Sequence, residues 1–192
     1  MSDSFYVPNL LQIGSTGRNS GKTTIAKQII ENEKKTHTIV ALKIITISGK
    51  RGVCQRGAVG CGICTSISSG YELVKEQHTQ GKKDTMQLLK AGAEKVYLLK
   101  AFEDHLQAGF LDFLKQIPAD AMIVCESNSL RKYIRPGLFI MMDNQKKRVK
   151  PTAQAVYEFS DEIFDSSMKT KEIGIKNTIN GSFWEIKVPQ KL

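Results

Sequence analysis

The chain has 192 residues, of which 41% are hydrophobic and 24% charged, and its formal net charge is +9. This composition excludes a disordered segment and is typical of one globular domain, here spanning residues 1–192. No apolar run is long enough for a membrane helix and no secretory signal is evident, so we expect a cytoplasmic protein without a membrane partner. The positive net charge favours anionic ligands such as nucleotides. Because the basic residues are scattered along the sequence, nucleic acid is an unlikely partner.

The first predicted elements are a strand, a glycine-rich turn and a helix. Residues 10–13 form a short apolar run typical of a buried strand, and apolar residues at helical spacing predict a helix over residues 22–32. The β-branched residues of 38–47 predict a second strand. Residues 49–70 are rich in glycine and hold three cysteines. Because this stretch is too long for an ordinary connection, we interpret it as a cysteine-rich insertion.

The rest of the chain alternates predicted helices with predicted strands. Apolar periodicity and stop residues indicate helices over residues 84–91, 102–117 and 152–159. Apolar runs indicate strands over residues 95–99, 121–125, 138–142 and 163–164. Asn180 and Gly181 are typical of the turn in a C-terminal β-hairpin. The pattern predicts an α/β fold with a mostly parallel sheet and helices on both faces.

The turn after the first strand has the residue types of a phosphate-binding loop. Its residues are Thr16, Gly17, Arg18, Asn19, Ser20, Gly21, Lys22, Thr23 and Thr24. Glycine lets backbone amides approach phosphate oxygens, and the start of the next helix adds partial positive charge. Lys22 would bridge the terminal phosphates, and the Thr23 hydroxyl would hold Mg²⁺. The sequence therefore predicts a P-loop NTPase that binds GTP or ATP, although Thr16 stands where the common pattern has glycine.

Acidic residues at strand ends are candidates for the magnesium side of such a site. Glu126 follows the apolar run 121–125 and is the first candidate, with the role of ordering the metal's waters. Asp84, which opens a predicted helix, is a second candidate, and a helix N-cap is an equally good interpretation. Asp143 is a third. Asn144 could contact the base, but a turn asparagine is the favoured interpretation.

The cysteines of the insertion suggest a metal site. Cys54, Cys61 and Cys64 lie within eleven residues, and a Cys-x2-Cys pair brings two thiolates to one metal. Zinc and an iron–sulfur cluster both fit, and a loop of free thiols is the alternative. The fourth ligand is open between His78, Cys125, a substrate and a cysteine of a second subunit. Taken alone, Cys125 is more typical of a buried small hydrophobe.

Several segments together resemble the MobB family, the molybdopterin-guanine dinucleotide biosynthesis protein B group. They are residues 17–24, residues 41–43, residues 81–85 with 91–93, and residues 123–126. The resemblance covers about residues 10–142 and implies a P-loop GTPase-like fold, often dimeric. It implies that Lys22 and Thr23 are phosphate and magnesium ligands, and that Lys43, Asp84 and Glu126 line the site. The chain departs from the family after Lys43, where isoleucine and threonine replace histidines.

These observations lead us to expect slow GTP hydrolysis by an accessory protein of molybdenum cofactor biosynthesis. Water would attack the terminal phosphate while Lys22 and Mg²⁺ stabilise the developing charge. Partners would be molybdenum cofactor enzymes or a phosphorylated cofactor, which the basic residues 131–137 could bind. One alternative is an ATP-dependent small-molecule kinase or ligase whose acceptor pocket lies in residues 127–135. Another is a non-enzymatic metal-binding module with a nucleotide-locked conformation.

Overall fold

The computed structural model describes residues 5–49, 67–145, 149–165 and 173–187. Seven strands form one sheet in the order β3-β4-β2-β5-β1-β6-β7. They are β1 (Phe5–Ser15), β2 (Ile39–Ile47), β3 (Tyr71–Lys75), β4 (Lys95–Phe102), β5 (Met122–Glu126), β6 (Ile134–Met142) and β7 (Glu162–Phe164). All neighbouring strands are parallel except β3, which pairs antiparallel with β4 at the edge. The predicted α/β fold with a mostly parallel sheet is confirmed.

Helices cover both faces of this sheet, as the apolar runs predicted. The helices are α1 (Lys22–Glu33), α2 (Asp84–Ala91), α3 (Leu106–Lys115) and α4 (Pro151–Gln154). Residues of α1 and α2 share one core cluster with alternate residues of the strands, and α3 shares a second cluster with the opposite side chains. On β5, for example, Met122 and Val124 belong to the first cluster, whereas Ile123 and Cys125 belong to the second. The central strands are therefore buried on both faces, which explains their unbroken apolar sequence.

The C-terminal hairpin forms a separate two-stranded sheet. Its strands are β8 (Ile173–Thr178) and β9 (Gly181–Ile186), and they pair antiparallel. The predicted hairpin is confirmed, but Thr178 pairs with Gly181, so its turn residues are Ile179 and Asn180, one position earlier than the predicted Asn180 and Gly181. Gly181, the first residue of β9, has a φ of 119°, a left-handed conformation that side chains disfavour. Trp184 is buried in the α1 side of the core, and its indole N–H donates to the Asn9 carbonyl oxygen at 3.0 Å. The hairpin thus covers part of the α1 face of the sheet.

Some predicted boundaries were wrong. Strand β3 was missed. The predicted helix 102–117 begins only at Leu106, because Phe102 ends β4 and packs beside Ile47 and Ile67. The predicted helix 152–159 is broken into α4 and a single 3₁₀ turn, Tyr157–Phe159.

The described residues cover only the ends of the predicted insertion. Cys54, Cys61 and Cys64 lie outside the described residues. The flanking Ile47 and Ile67 are buried against each other, so the insertion begins and ends at neighbouring points. In the parts of the chain that the structure describes, no helix combines the length and the apolar composition needed to cross a membrane.

Candidate functional site

The candidate site lies at the carboxyl edge of the parallel strands, around the loop between β1 and α1. Strand β1 lies between β5 and β6, so the residues that follow these strands surround the loop. Lys22 begins α1, Glu126 ends β5 and Asp84 begins α2. Lys43 lies in the middle of β2, at the position paired with Glu126. The fold therefore brings these four predicted site residues to one edge. Such an edge is where ligands bind in open α/β sheets.

The backbone of the loop is shaped to bind an anion. Asn19 and Gly21 have φ angles of 54° and 83°, both left-handed. Gly21 is the N-cap of α1 and provides no side-chain cap, and the first helical hydrogen bond runs from the Ile25 amide to the Gly21 carbonyl. The amides of residues 22–24 therefore lack a side-chain acceptor. Left-handed residues followed by a helix start form a concave set of N–H groups suited to phosphate.

Thr16 connects the loop to the end of β6. Its hydroxyl donates to Asp143 Oδ1 at 2.9 Å and accepts from the Asn144 amide at 3.0 Å, and its own amide donates to the Met142 carbonyl at 3.0 Å. Thr16 is buried. Thr16, which stands where the common pattern has glycine, therefore fixes the loop to the end of β6. Asp143 contributes to this connection, and it accepts a further hydrogen bond from the amide of Gln145.

The glycine at position 17 is required by a close contact. A Cβ atom on Gly17 would lie 1.7 Å from the Asn144 side-chain nitrogen. Asn144 thus packs against the loop backbone. A side chain at residue 17 would displace the Asn144 side chain or the loop.

Lys22 lies in a polar and partly buried position. Its Nζ donates to Ser15 Oγ at 2.6 Å, and Ser15 Oγ donates to the Gly17 carbonyl at 3.0 Å. Burial, and then the positive charge of Lys43, lower the pKa of Lys22 to about 8. Half of its charge is therefore lost near that pH. An anion placed beside Lys22 would favour the charged form.

Lys43, Glu126 and Asp84 form a charged cluster. Lys43 and Glu126 are paired across β2 and β5, and the ammonium contacts Glu126 Oε2 and lies 2.9 Å from Asp84 Oδ2. The Glu126 side chain is fully buried, whereas that of Asp84 is 45% exposed. Burial tends to lower the pKa of Lys43, but the charges and hydrogen bonds of Glu126 and Asp84 outweigh it and raise that pKa. Lys43 is thus held as the cation between two carboxylates.

Three buried side-chain oxygen atoms have no hydrogen-bond partner among the described residues: Gln12 Oε1, Ser20 Oγ and Glu126 Oε1. Buried polar atoms normally have partners, so the Ser20 oxygen in the loop and the Glu126 oxygen in the charged cluster mark places where a ligand or its water would bond. Thr23 is half-buried in the first turn of α1, and Thr24, Arg18 and Asn19 are exposed. The Thr23 hydroxyl and the Glu126 carboxylate supply the oxygen ligands that Mg²⁺ prefers.

Two polar residues, Asn128 and Gln12, form contacts with the loop region that were not predicted. Asn128 Oδ1 accepts from the Ser15 amide at 2.7 Å, and Asn128 Nδ2 donates to the Ser15 carbonyl at 3.0 Å. Gln12 Nε2 donates to the Ser127 carbonyl at 2.8 Å. These bonds fix the segment after β5 to the start of the loop. A buried glutamine within the apolar run of β1 was the signal that could have revealed them.

A cavity of about 450 Å³ opens beside Lys22. Its lining comprises Ser15, Arg18, Lys22, Lys43, Ile44, Ile45, Thr46, Ser48, Glu126, Ser127, Asn128, Ser129, Lys150, Pro151 and Thr152. This volume is in the range of small-molecule sites.

Both arginines of the basic segment 131–137 pack against aromatic residues of the protein. Their guanidinium groups stack on aromatic rings, Arg131 on Phe159 at 4.9 Å and Arg135 on Tyr6 at 5.2 Å. Stacking of this kind occupies one face of each guanidinium.

Cys125 is fully buried on β5, where burial raises the pKa of its thiol. This position agrees with the interpretation of Cys125 as a small core residue. Within the described ranges, no group of three or more His, Cys, Asp or Glu residues could hold a metal ion.

Comparison with protein-family models, with curated proteins and with solved structures gave no match.

Proposed function

We propose that this protein binds a magnesium–nucleoside triphosphate, GTP in preference to ATP, and hydrolyses it slowly as a MobB-like accessory protein of molybdenum cofactor biosynthesis. The loop between β1 and α1 is the observation that supports nucleotide binding. It combines uncapped amides at the start of a 12-residue helix with a lysine at the first helical position. These are the parts that hold the phosphates of a nucleotide in P-loop proteins.

The charged cluster supports the magnesium part of the proposal. Glu126 ends the strand next to β1 and has one buried oxygen without a partner among the described residues. When bound, Mg²⁺ supplies charge neutralisation on the phosphate oxygens. Thr23 would hold the metal, and Glu126 would order its waters. The contact with Lys43 holds the Glu126 side chain in place.

The molybdenum cofactor part depends on the resemblance of residues 10–142 to the MobB family. The contact of Lys43 with Asp84 and Glu126 supports it, because the resemblance implies that these residues line one site. A low rate of hydrolysis is expected because the two carboxylates that act on Lys22, Glu126 and Asp84, are both paired with Lys43 and so make poor bases. A partner protein or a second subunit would supply the missing group.

The test is equilibrium binding of fluorescent GTP and ATP analogues together with phosphate release. We expect the Lys22→Ala variant to bind triphosphate at least about tenfold more weakly, because a charge-assisted hydrogen bond is lost. Lys27→Ala, a lysine on the same helix outside the site, is the matched control and should behave as wild type. Equal binding and turnover by Lys22→Ala and wild type would refute the proposal. ATP bound as tightly as GTP would refute only the choice of base.

A further inference from the structure

The cavity beside Lys22 extends away from the loop that would hold the nucleotide phosphates. Of the loop residues 16–24, all of which are described, only Arg18 and Lys22 line it. The remaining walls come from the end of β2, from the segment after β5 and from residues 150–152. Most of the lining therefore comes from outside the phosphate-binding loop.

The charge of the cavity favours an anion. Four basic side chains line it, and Glu126 is the only described carboxylate in the lining. Glu126 is already matched by Lys43. The positive charges of Lys43 and Lys150 both act on Lys22 and contribute to its lowered pKa. The positive charge of this lining therefore exceeds the negative charge, and an anion would relieve the repulsion.

The segment after β5 forms a fixed polar wall. Ser127 and Ser129 are buried, and the Ser127 hydroxyl accepts a hydrogen bond from the Leu130 amide at 3.2 Å. Asn128 is held to Ser15, and its Nδ2 also reaches Thr152 Oγ1 at 3.4 Å. Because the wall is held at both sides, its hydroxyl groups are pre-organised. Pre-organised polar groups of this kind give small-molecule sites their specificity.

Apolar side chains complete the lining. Ile44 and Ile45 of β2 and Pro151 of α4 face the same space. A bare inorganic ion gains nothing from such surfaces, whereas an organic molecule can bury carbon atoms against them. The volume of about 450 Å³ is also larger than a single small ion requires.

We propose that this cavity binds a second substrate, a small organic phosphate, next to the terminal phosphate of the bound nucleotide. The phosphate of this molecule lies between Arg18 and Lys150, its polar groups meet the Ser127–Ser129 wall, and its carbon skeleton lies on Ile44, Ile45 and Pro151. The proposal rests on the proposed function, because it takes Lys22 as the boundary between nucleotide and second substrate.

The test uses protein saturated with Mg²⁺ and a non-hydrolysable GTP analogue, so that the nucleotide site is filled. Phenyl phosphate is then titrated, with phenol as the neutral probe, and binding is followed by ligand-observed NMR. We expect phenyl phosphate to bind and phenol to bind at least about tenfold more weakly, because the charge-assisted contacts are absent. Lys150→Gln and Ser129→Ala should each weaken phenyl phosphate binding at least about threefold. Lys115→Gln on α3, which removes the same charge far from the cavity, should not.

Competition between the analogue and phenyl phosphate would overturn the proposal, because the cavity would then belong to the nucleotide. Binding that is unchanged in both cavity variants would also overturn it. If the analogue itself does not bind, the proposed function fails, and the same titration is made on the nucleotide-free protein. Phenyl phosphate binding that is weakened by Lys150→Gln and by Ser129→Ala would then still support the organic phosphate site. Absence of such binding would refute it. Melting temperatures equal to wild type establish that the variants are folded.

Discussion

Lys43 on β2 and Glu126 on β5 face each other at paired positions of adjacent parallel strands, and the lysine ammonium contacts the buried carboxylate. The lysine side chain is 19% exposed and the glutamate side chain is fully buried. Removing one partner of such a pair leaves an uncompensated charge inside the protein, which is costly. Lys43 and Glu126 therefore contribute both to the stability of the fold and to the proposed site.

The first prediction concerns this pair. Lys43→Met should lower the free energy of unfolding by about 3 kcal/mol, because Glu126 loses its counterion. Lys100→Met is the matched control; its partner Glu72 is 38% exposed, so the cost should be at most about 1 kcal/mol. Adding Glu126→Gln to Lys43→Met should recover part of the loss. Urea unfolding measures all four proteins, and equal losses for the two lysine variants would contradict the prediction.

The second prediction concerns pH. The pKa of Lys22 is about 8 in the ligand-free protein, and bound phosphates would raise it, so binding above that pH takes up a proton. Triphosphate affinity should be full well below pH 8 and should fall as the pH rises, by about tenfold between pH 7 and pH 9.

This pH dependence can be separated from other titrations. Calorimetry in two buffers of different ionisation enthalpy at pH 8.5 should show proton uptake by wild type. Lys22→Ala should bind weakly at every pH and show no such uptake. A wild-type affinity that stays constant from pH 7 to pH 9 would show that Lys22 does not titrate in this range.

The third prediction concerns the loop connection to β6. Gly17→Ala should lower the free energy of unfolding by about 1–3 kcal/mol, because the new methyl group overlaps the Asn144 amide. Asn144→Ala makes room, so the double variant should be more stable than the sum of the two single changes indicates. Thermal unfolding of the four proteins measures this coupling. Strict additivity would mean that the two residues do not touch.

The fourth prediction concerns the cysteines of the insertion. We expect protein purified without oxygen to carry iron with sulfide, or zinc, and the Cys61→Ser/Cys64→Ser variant to lose it. Metal analysis and an absorption spectrum distinguish the two metals. The variant should keep its nucleotide affinity within about twofold if the metal has a docking role. Absence of metal from both proteins would remove the cysteine hypothesis.

The sequence was sufficient for the elements whose local signal is strong. The apolar runs of β2 and β5 and the glycine-rich turn before α1 predicted the strands and the start of the helix, because burial on both faces and left-handed turns each demand particular residue types. Strand β3 was missed because it is a short edge strand that directly follows the glycine-rich insertion. Its half-buried and exposed residues carry little apolar pattern.

The sequence predicted several residues of the site, but it did not predict which of them contact one another. Glu126 was expected from its place at a strand end, and its pairing with Lys43 required knowledge of which strands are neighbours. The role of Thr16 could not be predicted, because its hydrogen-bond partners Asp143 and Asn144 lie more than a hundred residues away in sequence. Asn128 and Gln12 were missed for the same reason.

The N-cap of helix α1, Gly21, offers no side-chain acceptor to the first amides of the helix. The free protein therefore leaves the first turn of this helix incomplete, and a phosphate group bound there would supply the missing acceptors. Hydrogen exchange at the amides of residues 22–24 should then slow on ligand binding more than exchange farther along the helix. In this sense the ligand would act as the N-cap of α1, and the same contacts would contribute both to binding and to helix stability.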